Sequence, residues 1–440
     1  MNKELLDLAS WAIKTAQKSG AAASRVSIDR ERSVEISYRE RKPENIKEAA
    51  KRTLNIEIYV DGRYSGQSTS DLRPKALQAF IENAVATTRL LAEDPFRSLP
   101  DAQLYLGRAT VDLQTTDPDY IKYTPEARHQ MARNAEAACL NTGGARVISV
   151  TTSTRDGLYE SVVLTSNGFE GYESSTYYAT SAQMTAKDEG DRRPNGYAYA
   201  SAIRLNKLPA AEEIGQNAAR ETLDLLGAQK IKTETLPVII RNREVGRILG
   251  GLITAMTGAN IQQKRSFLAD KKGEKIASEV LTLIDDPLLI GGLGSQLYDR
   301  DGFPAKKRIM IEKGVLHEFY IDWYYSRKLG WAPTTAGTSN LIIPPGTRSV
   351  EEIMKDLGRG IHITGFIGGN SNSTTGDTSI GIIGKLFENG QPVQSIAEMN
   401  IAGNHLDFWH KLTEVANDPW PYGSWQTPSL VFSDMVVSGA

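Results

Sequence analysis

One cysteine, Cys139, and five histidines are all that 440 residues contain of those two types. A single thiol excludes an intrachain disulfide and gives no sign of an oxidising compartment. Set in the small-residue run AEAACL, it reads as a buried filler of a helix rather than a nucleophile. No stretch reaches the roughly 18–20 apolar residues that a membrane-spanning helix needs. Positive charge is not in excess either: 51 Lys and Arg stand against 53 Asp and Glu, a net −2 at pH 7. Such a surface is not built to neutralise phosphates, and direct nucleic-acid binding is not expected. The most basic stretch, Arg25 to Arg52, interleaves its basic residues with acidic ones and reads as a solvated hairpin and helix face. The most telling absence lies between Arg241 and Leu268. That segment, RNREVGRILGGLITAMTGANIQQKRSFL, has no His, no Cys, no Asp and a single Glu, Glu244.

What is present describes an ordinary water-soluble composition, 40% hydrophobic and 24% charged. The length exceeds the roughly 250–300 residues at which single cores stop growing, so two domains are expected. The polar linker GAQKIKTET places their boundary near residue 230, giving domains 1–230 and 231–440. The N-terminal MNKELLDLASWAIKTAQKSG is interrupted by acidic residues, and Leu5, Leu8, Ala9, Ala12, Ile13 and Ala16 recur at helical spacing. It reads as an amphipathic helix closed by Gly20 rather than a signal peptide, so a cytoplasmic location is expected. RVSID, SVEISY and the alternating Leu54, Ile56, Ile58, Val60 run into Asp61-Gly62 predict strands and a hairpin. Leu77, Phe80, Ile81, Ala84, Thr88 and Leu91 form one helical stripe. Thr124-Pro125 has the order of a helix cap followed by a first-turn proline. From Arg146 to Asn206 alternating Thr, Tyr, Val and Ser predict an antiparallel sheet, and a helix follows over about 209–226. Strands dominate the second half, with a hairpin about Glu312-Lys313-Gly314 and one helix, VEEIMKDLG, capped by Ser349. Helices and strands are segregated rather than alternating, which predicts an α+β fold: an N-terminal α+β domain with an antiparallel sheet, then a strand-rich domain.

Candidate chemistry is sparse. His129 falls in a helix as a surface residue, and His317 points away from its neighbour Glu318 if that segment is a strand. His362 begins a strand. His405 and His410 lie about 140° apart on a helix, poor for joint metal ligation. No G-x-S-x-G elbow is present, although a Ser-His-Asp triad assembles from distant positions and leaves no local trace. The run GFIGGNSNSTTGD lacks the Gly-Lys-Ser/Thr ending of a phosphate loop and reads as a loop near a peptide groove or a subunit contact. Asp299-Arg300-Asp301-Gly302 lacks the distal Glu of a calcium loop and reads as a turn. Phe319, Tyr320, Trp323, Tyr324, Tyr325 and Trp331 crowd into thirteen positions with Arg327 and Lys328, a composition that suits a core or a protein interface.

Several blocks together resemble the TldD/PmbA family: EDPFRSLPD, the Arg241–Leu268 segment, YDRDGFPAKKRIMIEKGVL, GGNSNSTTGDTSIGIIGKLFENGQPV, and the C-terminal NHLDFWHKLTEVANDPWPYGSWQTPSLVFSDMVVSG. The resemblance implies a metallopeptidase family whose zinc-bearing members carry a His-Glu-x-x-x-His helix and a C-terminal cysteine ligand. Here the corresponding helix reads Leu249, Gly250, Gly251, Leu252, Ile253, Thr254, Ala255, Met256, and Asp418 to Gly439 holds neither Cys nor His. Zinc takes Cys, His and carboxylate ligands at about 2.0–2.3 Å, which Gly, Leu, Ala and Met do not supply. The chain therefore resembles the PmbA (TldE) type, a pseudoenzyme subunit with no cofactor of its own, zinc being expected in a TldD-type partner. What the resemblance implies is a heterodimer acting on unfolded or precursor peptides, this chain shaping the cavity and pairing with itself in isolation. Asn370, Ser371, Thr375 and Asp377, with Trp323, Tyr325 and Arg327, are the expected cavity or interface residues. The alternative the family label implies is a regulatory binding protein that modulates DNA gyrase, or a toxin directed at it, without proteolysis.

Overall fold

The structure is a computed structural model that describes residues 3–439. In the first half, α1 (Lys3–Lys18), β1 (Ala23–Arg39), β2 (Lys42–Val60), β3 (Arg63–Thr69) and α2 (Pro74–Thr88) are followed by α3 (Pro125–Gly143), β4 (Val147–Thr165), β5 (Glu170–Ala186), β6 (Asn195–Ala202) and α4 (Ala211–Leu223). The strands form one antiparallel sheet in the order β3-β2-β1-β4-β5-β6. The hairpin between β2 and β3 turns at Asp61-Gly62, whose φ angles of 50° and 71° suit a tight primed turn. Val26 and Ile28 of β1 pack beneath α1 and α2. Val34 and Ile36, an even number of residues further along, pack against Ala132 of α3. All four helices therefore cover one face, as the period of two along a strand requires. Thr124 caps α3 by accepting the Ala127 N–H at 3.2 Å. Cys139 is fully buried, and burial, with nearby Glu136, pushes its thiol up to about 12.

Part of this half departs from the sequence reading. Lys42–Arg52 is no helix face but the leading part of the 19-residue β2, paired with β1 apart from an irregularity at Glu44. IKEAAKR has good local helix propensity, yet ladder hydrogen bonds to an existing strand outweigh preferences of a few tenths of a kcal/mol per residue. β3 pairs β2 only from Leu54 onward, so this stretch keeps an open edge. Pro43 and lysines 42, 47 and 51 lie along it, residues that discourage further strand addition.

The second half runs β7 (Glu234–Ile240), α5 (Val245–Ala255), α6 (Gly258–Gln262), β8 (Leu283–Asp285), β9 (Arg308–Glu312), β10 (Val315–Leu316), α7 (Trp323–Leu329), β11 (Leu341–Ile342) and α8 (Val350–Leu357). It closes with β12 (Arg359–Ser371), β13 (Asp377–Glu388), β14 (Gln391–Asn404), α9 (His405–His410), β15 (Leu412–Val415), β16 (Trp425–Gln426) and β17 (Leu430–Ser438). A six-stranded sheet runs β14-β13-β12-β7-β17-β15. It curls until Asn400 and Ile401 of β14 pair with Ser438 and Val437 of β17. A smaller sheet runs β10-β9-β8-β11-β16. One apolar cluster joins α5 to both sheets through residues such as Leu249, Leu252, Leu283, Met310, Ile361 and Ile380. Ser349 and Glu352 form a reciprocal capping box at α8. The α+β class expected from the sequence is the observed one, with an antiparallel sheet in the N-terminal part and a strand-rich C-terminal part. No helix among the described residues is long and apolar enough to cross a membrane.

Candidate functional site

The segment without His, Cys or Asp contains α5, whose periodicity explains the site. Val245, Ile248, Leu249, Leu252, Ile253 and Ala255 face the core. The opposite face carries Gly246, Arg247, Gly250, Gly251 and Thr254, which form one wall of an open groove of about 520 Å³. The other wall is the end of β12 and the turn after it, with Gly369, Asn370, Ser371 and Ser373. β12 pairs with β7 only through Ile361, His362 and Ile363, so beyond that point it has a strand partner on one side alone, β13. The Arg247 guanidinium donates to the Gly368 carbonyl at 3.1 Å across the groove. Gly368 and Gly369, with φ of 60° and 88°, make a bulge; a Cβ at Gly369 would lie 2.6 Å from the Ser379 carbonyl oxygen.

Behind the groove wall sits His405, 2% exposed, whose Nε2 lies 2.7 Å from the Ser371 hydroxyl. Its ring stacks on Phe267 at a centroid distance of 5.7 Å. A Cβ at Gly251 would fall 2.2 Å from Nε2, so the imidazole occupies the space that a side chain at position 251 would need. Burial holds the His405 imidazole down to about 4, and Nδ1 is buried without a hydrogen-bond partner among the described residues. A Ser-His pair works as nucleophile and base when a carboxylate on Nδ1 orients the ring and stabilises the imidazolium. Here no carboxylate holds Nδ1, and a base with so low a pKa is poor at taking a proton near neutrality. The groove lining offers hydroxyls, an amide and a guanidinium, with no His, Cys, Asp or Glu. That donor set does not fit the zinc that the family's name implies. Across the described residues, no group of three or more His, Cys, Asp or Glu stands close enough to hold a metal ion.

Of the residues singled out from sequence, Gly250, Gly251, Asn370 and Ser371 meet at this groove, while Leu249, Leu252, Ala255 and Met256 are core. Thr375 and Asp377 clamp the adjacent turn. The Thr375 hydroxyl and the Asn404 amide donate to the Asp377 carboxylate at 2.7 and 3.2 Å and hold it below its ordinary pKa. Trp323, Tyr325 and Arg327 lie elsewhere, on α7. The Trp323 and Arg327 side chains both donate to the Ser98 hydroxyl, at 3.1 and 2.7 Å, and Tyr324 donates to Asp94 at 2.8 Å. This aromatic group seals the contact between the second half and the EDPFRSLPD loop of the first. Arg247 was missed as a groove residue, and His405 as the side chain behind its wall. Nothing local marks them, since Ser371 and His405 are 34 residues apart. His129, read as a surface residue, is half-buried and bonds the Tyr38 hydroxyl at 3.0 Å.

A helix laid along a free strand edge, inside a curled sheet and behind a helix-covered antiparallel domain, is the architecture of a known class. The chain belongs to the PmbA/TldD metallopeptidase family. Residues 118–226 match the model of the PmbA/TldA metallopeptidase central domain and residues 233–439 that of its C-terminal domain. A Bacteroides thetaiotaomicron protein described as a candidate modulator of DNA gyrase is 37% identical, covers 99% of both chains and superposes with a TM-score of 0.96. Metalloprotease PmbA of Escherichia coli O157:H7 is 29% identical over 445 residues, 99% of this chain and 96% of its own. TldE from Thermococcus kodakarensis, 22% identical over 98% of this chain and 100% of its own, shares the fold with a TM-score of 0.87.

Proposed function

We propose that this chain is the non-catalytic, metal-free subunit of a TldD/TldE-type peptidase, working in the cytoplasm beside a zinc-bearing TldD-type partner. Its task is to shape the cavity that receives unfolded or precursor peptides. The observation that carries this reading is the α5–β12 groove. One wall is rich in glycine, the other is a strand paired on one side only, and neither wall offers a His, Cys, Asp or Glu. An extended peptide binds such an edge by β-augmentation, and a narrow cavity admits an unfolded segment where a folded domain is too bulky to enter. His405, packed into the space beside Gly251, fills the volume that a metal-ligating side chain on α5 would use.

The test is a peptidase assay on an unfolded casein-like substrate with this chain alone, a TldD-type partner alone and the two mixed, zinc being measured on each sample. Cleavage confined to the mixture, with no stoichiometric zinc in this chain, is the expected result. Activity of this chain alone, or zinc bound one to one, overturns the proposal. The balanced charge of the chain gives no reason for DNA binding, and an effect on DNA gyrase follows more economically from proteolysis of a peptide toxin directed at it.

A further inference from the structure

A second cavity, sharing no lining residue with the groove, lies where the two halves of the chain meet. Its floor is one rung of the first sheet, Glu57 of β2, Arg25 of β1 and Thr165 of β4, paired side by side. The EDPFRSLPD loop forms one wall through Phe96 to Pro100, and α7 with Arg300 and Asp301 forms the roof. The volume is about 270 Å³, at the small end of ligand sites, which run to roughly 300–1,000 Å³. Six charged groups line it, and five of them have partners. Arg300 pairs with Asp322 at 2.9 Å, and Asp301 accepts the Trp323 backbone N–H at 2.8 Å. Glu57 accepts the Tyr59 hydroxyl at 2.9 Å. The Arg97 guanidinium stacks against the Tyr64 and Tyr324 rings, 4.6 and 3.6 Å from their centroids. Arg25 is half-buried and makes no hydrogen bond through its guanidinium and no ion pair with any described residue, although Glu57 is its cross-strand neighbour.

We propose that this cavity binds a carboxylate attached to an aromatic or apolar body of about one residue's size, with the carboxylate on Arg25. A guanidinium offers the paired donors that match a carboxylate. Tyr59, Tyr64, Phe96 and Trp323 supply a wall for the apolar body. The wall carboxylates Glu57, Asp301 and Asp322 disfavour a more highly charged anion such as a phosphate. The same chemistry is presented by a free aromatic acid and by the C-terminal residue of a peptide. The proposal stands on this cavity alone and is independent of the groove.

The test is isothermal titration calorimetry of the full chain with N-acetyl-phenylalanine and its amide, and with a pentapeptide ending in phenylalanine as free acid and as amide. At least one free acid should bind about tenfold or more tighter than its amide, a loss in keeping with one charge-assisted hydrogen-bonded contact. Binding of the small acid without the peptide identifies a free small-molecule site; binding of the peptide acid identifies a peptide terminus. Arg25→Gln, checked for an unchanged melting temperature, should abolish the acid preference. Equal affinity for acid and amide, or no binding of either acid at millimolar concentration, overturns the proposal on the unsubstituted chain, whatever the variant does.

Discussion

Two adjacent glycines of α5 should respond to the same substitution with opposite signs. Gly250→Ala places its methyl in the open groove, where nothing lies within 4 Å. Replacing a helical glycine there should stabilise the fold by about 0.5–1 kcal/mol through the lower entropy of the unfolded chain. Gly251→Ala gains the same term, but its methyl would stand 2.2 Å from His405 Nε2 and 2.4 Å from Cε1. The ring has little room to retreat, being 2% exposed and stacked nearly parallel to Phe267. Overpacking of this kind costs about 1–3 kcal/mol, and displacing the ring from the Ser371 hydroxyl forfeits about 1 kcal/mol more. After the helix gain is subtracted, Gly251→Ala should destabilise by about 1–3 kcal/mol, leaving the two variants about 2–4 kcal/mol apart. Urea unfolding of both, side by side, measures the gap. Adding His405→Ala to Gly251→Ala should recover part of the loss, because the clash goes with the ring. Equal shifts of one sign, or no coupling between positions 251 and 405, would refute the claim that the imidazole fills the space beside α5.

The other expectations are shorter. His362 and His405 are both held down to about 4, chiefly by burial, so the folded chain keeps them neutral where unfolded histidines, near 6.5, take up protons. Stability should therefore fall as pH drops from about 6.5 to 4, by on the order of 3 kcal/mol per histidine. His405→Phe should remove one share of that slope, and an unchanged slope in urea midpoints across this window would count against it. Arg128 and Asp156, 3% and 2% exposed, form a bidentate pair at 2.6 and 2.8 Å. Asp156→Ala should cost about 3–5 kcal/mol by stranding the guanidinium, and Arg128→Met combined with Asp156→Leu should recover most of it. Ser349→Ala removes half of the capping box of α8 and should cost about 1 kcal/mol in thermal unfolding.

Some of this protein was legible residue by residue. Asp61-Gly62 and Asn389-Gly390 adopt positive φ, as their hairpin positions demand, because glycine and a short polar neighbour settle such turns locally. Thr124 and Ser349 cap the helices they precede, since a cap needs only the next three residues. The apolar stripe of α1 follows from helical spacing in the same way. Local preference failed at Lys42–Arg52, where the partner strand decides the conformation, and at Leu91, which lies past the end of α2 and is exposed, whereas Thr88 is buried as its place in the stripe required.

The chemistry divides along the same line. That α5 carries no zinc ligand is a property of composition, and no arrangement of the chain alters which side chains the helix owns. What fills the space beside Gly251 could not be read from the chain, because His405 reaches it from another element. That contact depends on the sheet curling until β14, α9 and the end of β12 converge. Likewise Arg25 and Trp323 are ordinary residues 298 positions apart in sequence until the two halves of the chain bring them to one cavity. Local sequence sets turns, caps and helical faces because their energies depend on near neighbours. Grooves and cavities arise between elements distant along the chain, so only tertiary packing could decide them.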